Sequence, residues 1–210
     1  MPRRSSTAPA ERPFHRGLNR DAVLAAALHL IDDEGRGALT MRRLAADLDV
    51  EAPSLYTHVR NKEDLVDAVL DRVLDTVPLP SPDQPWRDAL IDGFSGYRAA
   101  LIAHPAVVPL ITERGRRSVA QLRLVERSIV LLEGAGLTTV EAVQAQVTLV
   151  GYTIGFVVQE TGRSPDLPVD VLASSEVLPR TMDALLSLSV DERFRAGLEL
   201  ILAGIAAEAR

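Results

Sequence analysis

Four prolines in nine residues, VPLPSPDQP at 77–85, constrain this chain more than any other feature. Each proline removes a backbone donor and holds φ at about −65°, so no helix or central strand runs through the segment. The 210 residues therefore divide into a shorter N-terminal part and a longer C-terminal part, joined by a stiff connection.

On both sides of that connection the pattern is helical. In NRDAVLAAALHLIDDEGRG, Leu24, Ala27, Leu28 and Ile31 recur at helical spacing, with Asn19 as N-cap and Gly35 and Gly37 at the end. TMRRLAADL follows, capped by Thr40, then a break at DVEAP and the short helix APSLYTHV. Asn61 caps the next helix, whose Leu65, Val69 and Val73 form an apolar stripe. Beyond the prolines come WRDALIDGFSGYRAALIAH, RGRRSVAQLRLVERSIVLLEGAG, TTVEAVQAQVTLVGYTIGFVVQETG and VDERFRAGLELILAGIAAEA. Thr138 with Glu141, and Ser189 with Glu192, have capping-box spacing. TGRSPDLPVDVLASSEVLP reads as a long loop, and no strand alternation or internal repeat is found. The class is all-α. The domains read as a disordered basic arm at 1–17, a helix-turn-helix unit at 18–76, the Pro-rich connection at 77–85 and a larger helical domain at 86–208.

Composition removes several functional classes. With 47% hydrophobic residues the chain can bury a core without staples. It has no Cys, which excludes disulfides, thiolate metal sites and Cys nucleophiles and fits a reducing cytoplasm. The opening MPRRSSTAPAERPFHRG lacks the apolar run of a signal peptide. Residues 142–159 carry no charge, but Gln144, Gln146, Thr148, Thr153 and Gln159 favour a doubly buried helix over a membrane span. The net charge of −6 is uneven: residues 1–62 sum to +2 and the remainder to −8. An N-terminal part that escapes the general acidity suits a polyanionic partner.

The place for such a partner to dock is the pair of short helices between Thr40 and Val59. Leu44, Ala45 and Leu48 face inward from the first, and Asp49 occupies the turn, where a positive φ is needed. Leu55 and Val59 pack inward from the second. That leaves Ala52, Ser54, Tyr56, Thr57 and His58 outward, with Pro53 in the first turn, where its missing N–H does no harm. Lys62 opens the next helix, where the macrodipole disfavours a cation by about 0.3–1 kcal/mol. Either it is a solvated lysine or it waits for a phosphate docked at the helix start. Arg42 and Arg43 oppose their helix dipole in the same way.

LTMRRLAADLDVEAPSLYTHVRNKEDLVDAVL resembles the DNA-binding domain of the TetR family of bacterial repressors. The likeness rests on Leu39-Thr40, Leu44-Ala45, Leu48, Val50, Leu55-Tyr56, His58-Val59, Asn61-Lys62-Glu63 and Leu65. VEAPSLYTHVRNK is similar to the tetracycline repressor branch in particular, with Asp49 standing where the family usually has Gly. The resemblance implies phosphate contacts from Thr40, Arg42, Tyr56 and Lys62, with Arg43 beside them. It turns Ala52, Pro53, Ser54, Thr57 and His58 to the major groove. It also implies a homodimer on a palindromic double-stranded operator, with half-sites about 34–36 Å apart, released by a small-molecule effector. The uncharged helix and RFRAGLELILAGIAAEA, through Leu198, Ile201, Leu202 and Ile205, would form the dimer interface.

For the effector, Trp86, Phe94, Tyr97, Tyr152 and Phe156 are candidate pocket aromatics, and Arg98, His104, Gln146 and Gln159 candidate polar handles; core packing is the alternative for the aromatics. No His lies between His58 and His104, and LDTVPLP stands where the tetracycline repressor has a His-rich segment. The expected effector is therefore not a magnesium-chelated tetracycline, and no metal or cofactor is expected. Two other classes compete. An enzyme lacks its signatures here: no Glu-x-x-His, Gly-x-Ser-x-Gly, phosphate loop or dinucleotide fingerprint occurs. A helical sensor that no longer binds DNA fits the acidity and Asp49.

Overall fold

A computed structural model describes residues 18–114, 118–162 and 175–208. The basic arm expected at 1–17, and residues 163–174 of the expected long loop, lie outside the described residues. Among the described residues every regular element is helical. The chain forms two compact units, with the division between Val69 and Leu70.

In the N-terminal unit, α1 (Arg20–Glu34) starts where the Asn19 side chain accepts from the Ala22 N–H at 2.8 Å. It ends at Gly35, whose φ of +79° only glycine adopts without strain. Helix α2 spans Met41–Asp47 and α3 spans Ala52–Leu55. Helix α4 (Lys62–Leu74) starts in this unit and runs past its end. Val23, Ala27, Ile31, Leu39, Leu44, Leu55 and Leu65 are fully buried and make the core.

The C-terminal unit contains α5 (Trp86–Ala103), α6 (Val108–Arg114), α7 (Val119–Gly134), α8 (Thr139–Thr161), α9 (Leu178–Leu186) and α10 (Val190–Glu208). Helix α5 packs on α7, α8 and α10, and α8 packs on α7 and α10. Both expected capping boxes are present: Thr138 with Glu141, and Ser189 with Glu192. Two helices escape the sequence periodicity because they are short. Helix α6 follows a 3₁₀ turn at Pro105–Val107 and buries Val108, Leu110 and Ile111. Helix α9 falls within the stretch read as loop and just beyond it; the Ser175 hydroxyl accepts from the Val177 and Leu178 N–H groups, and Pro179 occupies its first turn.

The Pro-rich segment packs against α5. Gly93 and Gly96, three residues apart on one helix face, receive the rings of Pro80 and Pro78. A methyl group on Gly93 would approach Pro80 Cγ to 2.7 Å, and one on Gly96 would approach Pro78 Cδ to 2.5 Å. The connection is thus stiff for two reasons, its own fixed φ angles and a glycine notch that fits two of its rings.

Candidate nucleic-acid interface and effector cavity

Helix α2 is fixed at its start by Thr40, whose Oγ1 accepts from the Arg43 N–H at 3.1 Å. The turn after α2 passes through Asp49 at φ +56°, the one positive-φ residue other than glycine among those described. The α-helical part of α3 ends at Leu55, shorter than the eight residues read from the sequence. Turn hydrogen bonds to Leu55 O from His58 N (3.0 Å) and Val59 N (3.1 Å) carry it on. Leu55 and Val59 are buried, while Pro53, Tyr56 and Thr57 are exposed and Ala52, Ser54 and His58 half-buried. The Thr57 hydroxyl donates to Ser54 O at 2.7 Å, so its hydrogen is spent.

Helix α4 opens with Lys62, and the Asn61 side chain accepts from the Asp64 N–H at 2.8 Å. Arg60 forms an ion pair with Asp64 at 2.8 Å; this hydrogen bond holds the Asp64 carboxyl below its ordinary range. Arg42 is exposed. Arg43 instead bonds Asp47 at 3.1 Å and Glu34 at 2.8 Å, tying α2 to the end of α1. Arg20 adds a tie from α1 to His58 O at 3.3 Å. Neither tie is visible in local spacing, because the partners are far apart in sequence.

In the C-terminal unit, α6, α7 and α8 enclose an apolar groove of about 980 Å³, lined among others by Leu122, Val125, Ile129, Val143, Val147 and Ile154. A smaller recess of about 20 Å³ adjoins it, against Phe94, Tyr97, Leu124 and Ser128. Gln121, Gln146 and Val150 border both. Tyr97 is buried and donates from its hydroxyl to Gln121 Oε1 at 3.2 Å; burial pushes the phenol well above its ordinary value. Phe94, Tyr97 and Gln146 thus come together among the candidates. Gln121 and Ser128 were missed by a search guided by aromatic identity. Their signal was the spacing of Gln121, Leu124 and Ser128 on one face of α7.

The other candidates lie elsewhere. Arg98 makes a bidentate pair with Glu160 (2.8 and 2.7 Å) and a third bond to Asp191 at 2.7 Å. Its guanidinium sits 5.5 Å from the Phe156 ring centroid and 5.1 Å from that of Phe194. The Glu160 hydrogen bond, more than any other contact, raises the Arg98 pKa. Tyr152 stacks on Phe194 at 5.4 Å and donates to Phe194 O at 3.0 Å, over Gly197, where a methyl group would overlap it. Trp86 opens α5 beneath the Arg87 guanidinium, half-buried His104 caps its end, and Gln159 is exposed on α8. Arg98, Tyr152 and Phe156 thus join α5, α8 and α10 as a structural cluster.

A further polar link leads out of the cavity region. Asp71, on the part of α4 that belongs to the C-terminal unit, accepts from the Ser118 hydroxyl at 2.7 Å and the Ala120 N–H at 3.1 Å. Ser118 is fully buried and itself accepts from the Gln121 N–H at 3.0 Å.

Helices α8 and α10 are apolar on two faces. On α10, Phe194, Leu198 and Leu202 are buried within the protomer, so Leu198 and Leu202 do not face a partner as expected. Ile201 and Ile205 are half-buried, and the open stripe runs through Ala196, Leu200, Ala203, Gly204 and Ala207. Helical periodicity puts 198 and 202 on one side and 200 and 204 on another. On α8, Val140 and Val158 are open apolar residues outside the groove, whereas the exposed Val143 and Val147 line it; α8 is the one described helix long and apolar enough to cross a membrane.

A small head that lifts a short helix over a buried base, followed by a helical unit with an apolar groove, defines a ligand-responsive helix-turn-helix regulator. Residues 23–69 match the model for bacterial regulatory proteins of the tetR family, and residues 79–209 match the tetracyclin repressor-like C-terminal domain. The chain belongs to the TetR family. It is 32% identical over 197 residues to the Escherichia coli tetracycline repressor protein class A from transposon 1721, covering 90% of this chain and 91% of the relative. Among solved structures, Mycobacterium smegmatis BioQ matches with a TM-score of 0.72 at 31% identity, covering 92% of this chain and all of that one. A BioQ structure with its double-stranded DNA operator gives 0.68 at 30%, covering 91% and 99%. Streptomyces coelicolor ActR in complex with actinorhodin gives 0.72 at 30%, covering 92% and 99%.

Proposed function

We propose that this protein is a homodimeric transcriptional repressor that binds a palindromic operator and leaves it when a small molecule fills the groove between α6, α7 and α8. The observation that carries the reading is the α3 turn, with Leu55 and Val59 anchoring it and Pro53, Tyr56 and Thr57 exposed. The open apolar faces of α8 and α10 support the dimer. As a DNA regulator it works in the cytoplasm and carries no catalytic role.

The hydrogen bonds sort the DNA contacts further. Thr40 Oγ1 spends an acceptor site on its cap and keeps its hydroxyl hydrogen for a phosphate. Arg43 would have to leave Asp47 and Glu34 to reach DNA, so Arg42, Tyr56 and Lys62 carry the remaining phosphate contacts. Ala52, Pro53, Ser54, Thr57 and His58 face base edges. Thr57, its hydrogen spent, offers an acceptor and a methyl group.

The test is a gel shift on the DNA upstream of its own gene, followed by salt titration. Lys62→Ala removes one phosphate contact per protomer. It should weaken binding to every sequence and lower the slope of log K against log salt by roughly 1.8 per dimer. An unchanged slope would remove Lys62 from the interface. The effector is proposed to be metal-free and not a tetracycline, and low-micromolar binding of magnesium-tetracycline by calorimetry would overturn that assignment.

A further inference from the structure

We infer that the effector is an uncharged molecule with a largely apolar body and one hydrogen-bond-donating group, a hydroxyl or primary amide, that ends on the side-chain oxygen of Gln146. This rests on the groove being the effector site and specifies what the groove selects. Gln146 is 5% exposed, and its Oε1 is buried with no hydrogen-bond partner. A buried acceptor left in that state costs stability, and a ligand that supplies the donor recovers it.

The hydroxyls beside Gln146 cannot supply that donor. The Tyr97 hydroxyl hydrogen goes to Gln121 Oε1, and the Ser128 hydroxyl hydrogen goes to Leu124 O at 2.9 Å. What these two groups still offer the recess is acceptor lone pairs. The two hydroxyls of the recess therefore act as acceptors, and its remaining side-chain donors are the amide N–H groups of Gln121 and Gln146. Its volume of about 20 Å³ admits one water or one small polar group. The body of the ligand has to remain in the adjoining groove, whose lining is mostly apolar.

Charge is selected against by the same residues. The recess is lined by neutral side chains, so neither an anion nor a cation would find a counter-charge there. Glu113 and Arg114 belong to the groove at α6, away from the recess.

Calorimetry on the full chain with β-naphthol, its methyl ether and β-naphthoate tests this. The naphthol should bind roughly three- to tenfold more tightly than the ether, the range of one net hydrogen bond, and at least about tenfold more tightly than the carboxylate. In Gln146→Leu and Gln146→Met the advantage over the ether should fall to about onefold. Thermal stability should be unchanged or raised, because an unsatisfied acceptor has been removed. Equal affinity for naphthol and ether, a preference that survives both substitutions, or carboxylate binding as tight as naphthol would overturn the inference while leaving the groove a ligand site. Failure of all three probes to bind protein that still binds its operator would overturn the ligand-site reading as well.

Discussion

Arg98 touches two carboxylates at equal distance, and the structure predicts that only one of them matters. Glu160 is one-fifth exposed and holds the guanidinium by two parallel bonds; Asp191 is 86% exposed and holds it by one. Both contacts close to 2.7 Å. Removing one partner of a buried pair costs about 3–5 kcal/mol, because the remaining charge is left without compensation. Partial exposure of Glu160 puts Glu160→Gln towards the low end, about 2–3 kcal/mol. Asp191→Asn removes a screened surface charge, about 0.2–1 kcal/mol. It also loses a favourable carboxylate in the first turn of α10, of similar size. At roughly 2–4 °C per kcal/mol for a chain of this length, Glu160→Gln should lower Tm by about 5–10 °C and Asp191→Asn by a few degrees at most. Scanning calorimetry at fixed protomer concentration measures both, since dimerisation makes Tm depend on concentration. Arg98→Met placed on Glu160→Gln should recover part of the loss, because methionine fills the space beside Phe156 and Phe194 without a charge. Equal losses from the two acid substitutions, or no recovery in the double variant, would refute the assignment of the energy to burial.

Gly96→Ala should destabilise by about 1–3 kcal/mol in urea melts, since its methyl group meets the Pro78 ring. Gly134→Ala, with open space around its Cβ, should be neutral or stabilising by up to about 1 kcal/mol. Asp71→Ala should leave operator affinity within about threefold but reduce the release caused by a groove ligand, read as the shift in operator affinity at saturating ligand. Loss of both together would mean that Asp71 only supports the fold. The depressed pKa of Asp64 means that its ion pair with Arg60 contributes above the ordinary carboxylate range and is lost as pH falls through the lower folded value. Asp64→Asn should therefore flatten the acid limb of the stability profile below about pH 4, measured by thermal melts across pH.

Local chemistry was legible in the sequence. Asn19, Thr40, Asn61, Thr138 and Ser189 all cap the helices that their positions announce, since a cap needs only residues within one turn. Asp49 at φ +56° follows from the two-helix pattern alone, because the chain must reverse there. What escaped depends on distance. Arg98 looked like a pocket handle until its partners 62 and 93 residues away came into view. Gly93 and Gly96 carry no local signal of their role, which only the packed rings of Pro80 and Pro78 give them. On α10 the apolar residues were identified but not their faces, since a helix with two apolar sides leaves periodicity without a preferred direction.

Those long-range contacts bear on how a ligand could reach the DNA-reading head. Gln121 lines the groove proposed for the effector; its N–H bonds the Ser118 hydroxyl oxygen, whose hydrogen bonds Asp71. Gln121 lies in the first turn of α7, Ser118 is its cap, and Asp71 lies on α4, the helix that begins at Lys62. Each joint is a short hydrogen bond, and Ser118 has no exposure with which to trade a lost partner for water. Such a link is either made or broken, and does not stretch gradually. A ligand that displaces the start of α7 must carry α4 with it or leave the Asp71 carboxylate and the Ser118 hydroxyl without each other. Reversing a 99:1 preference for the DNA-bound form takes roughly 5.5 kcal/mol of differential ligand affinity. Breaking the charged hydrogen bond would cost about 1.5–3 kcal/mol, which caps what the link can transmit, so the link selects which helix moves while the groove contacts must supply the energy.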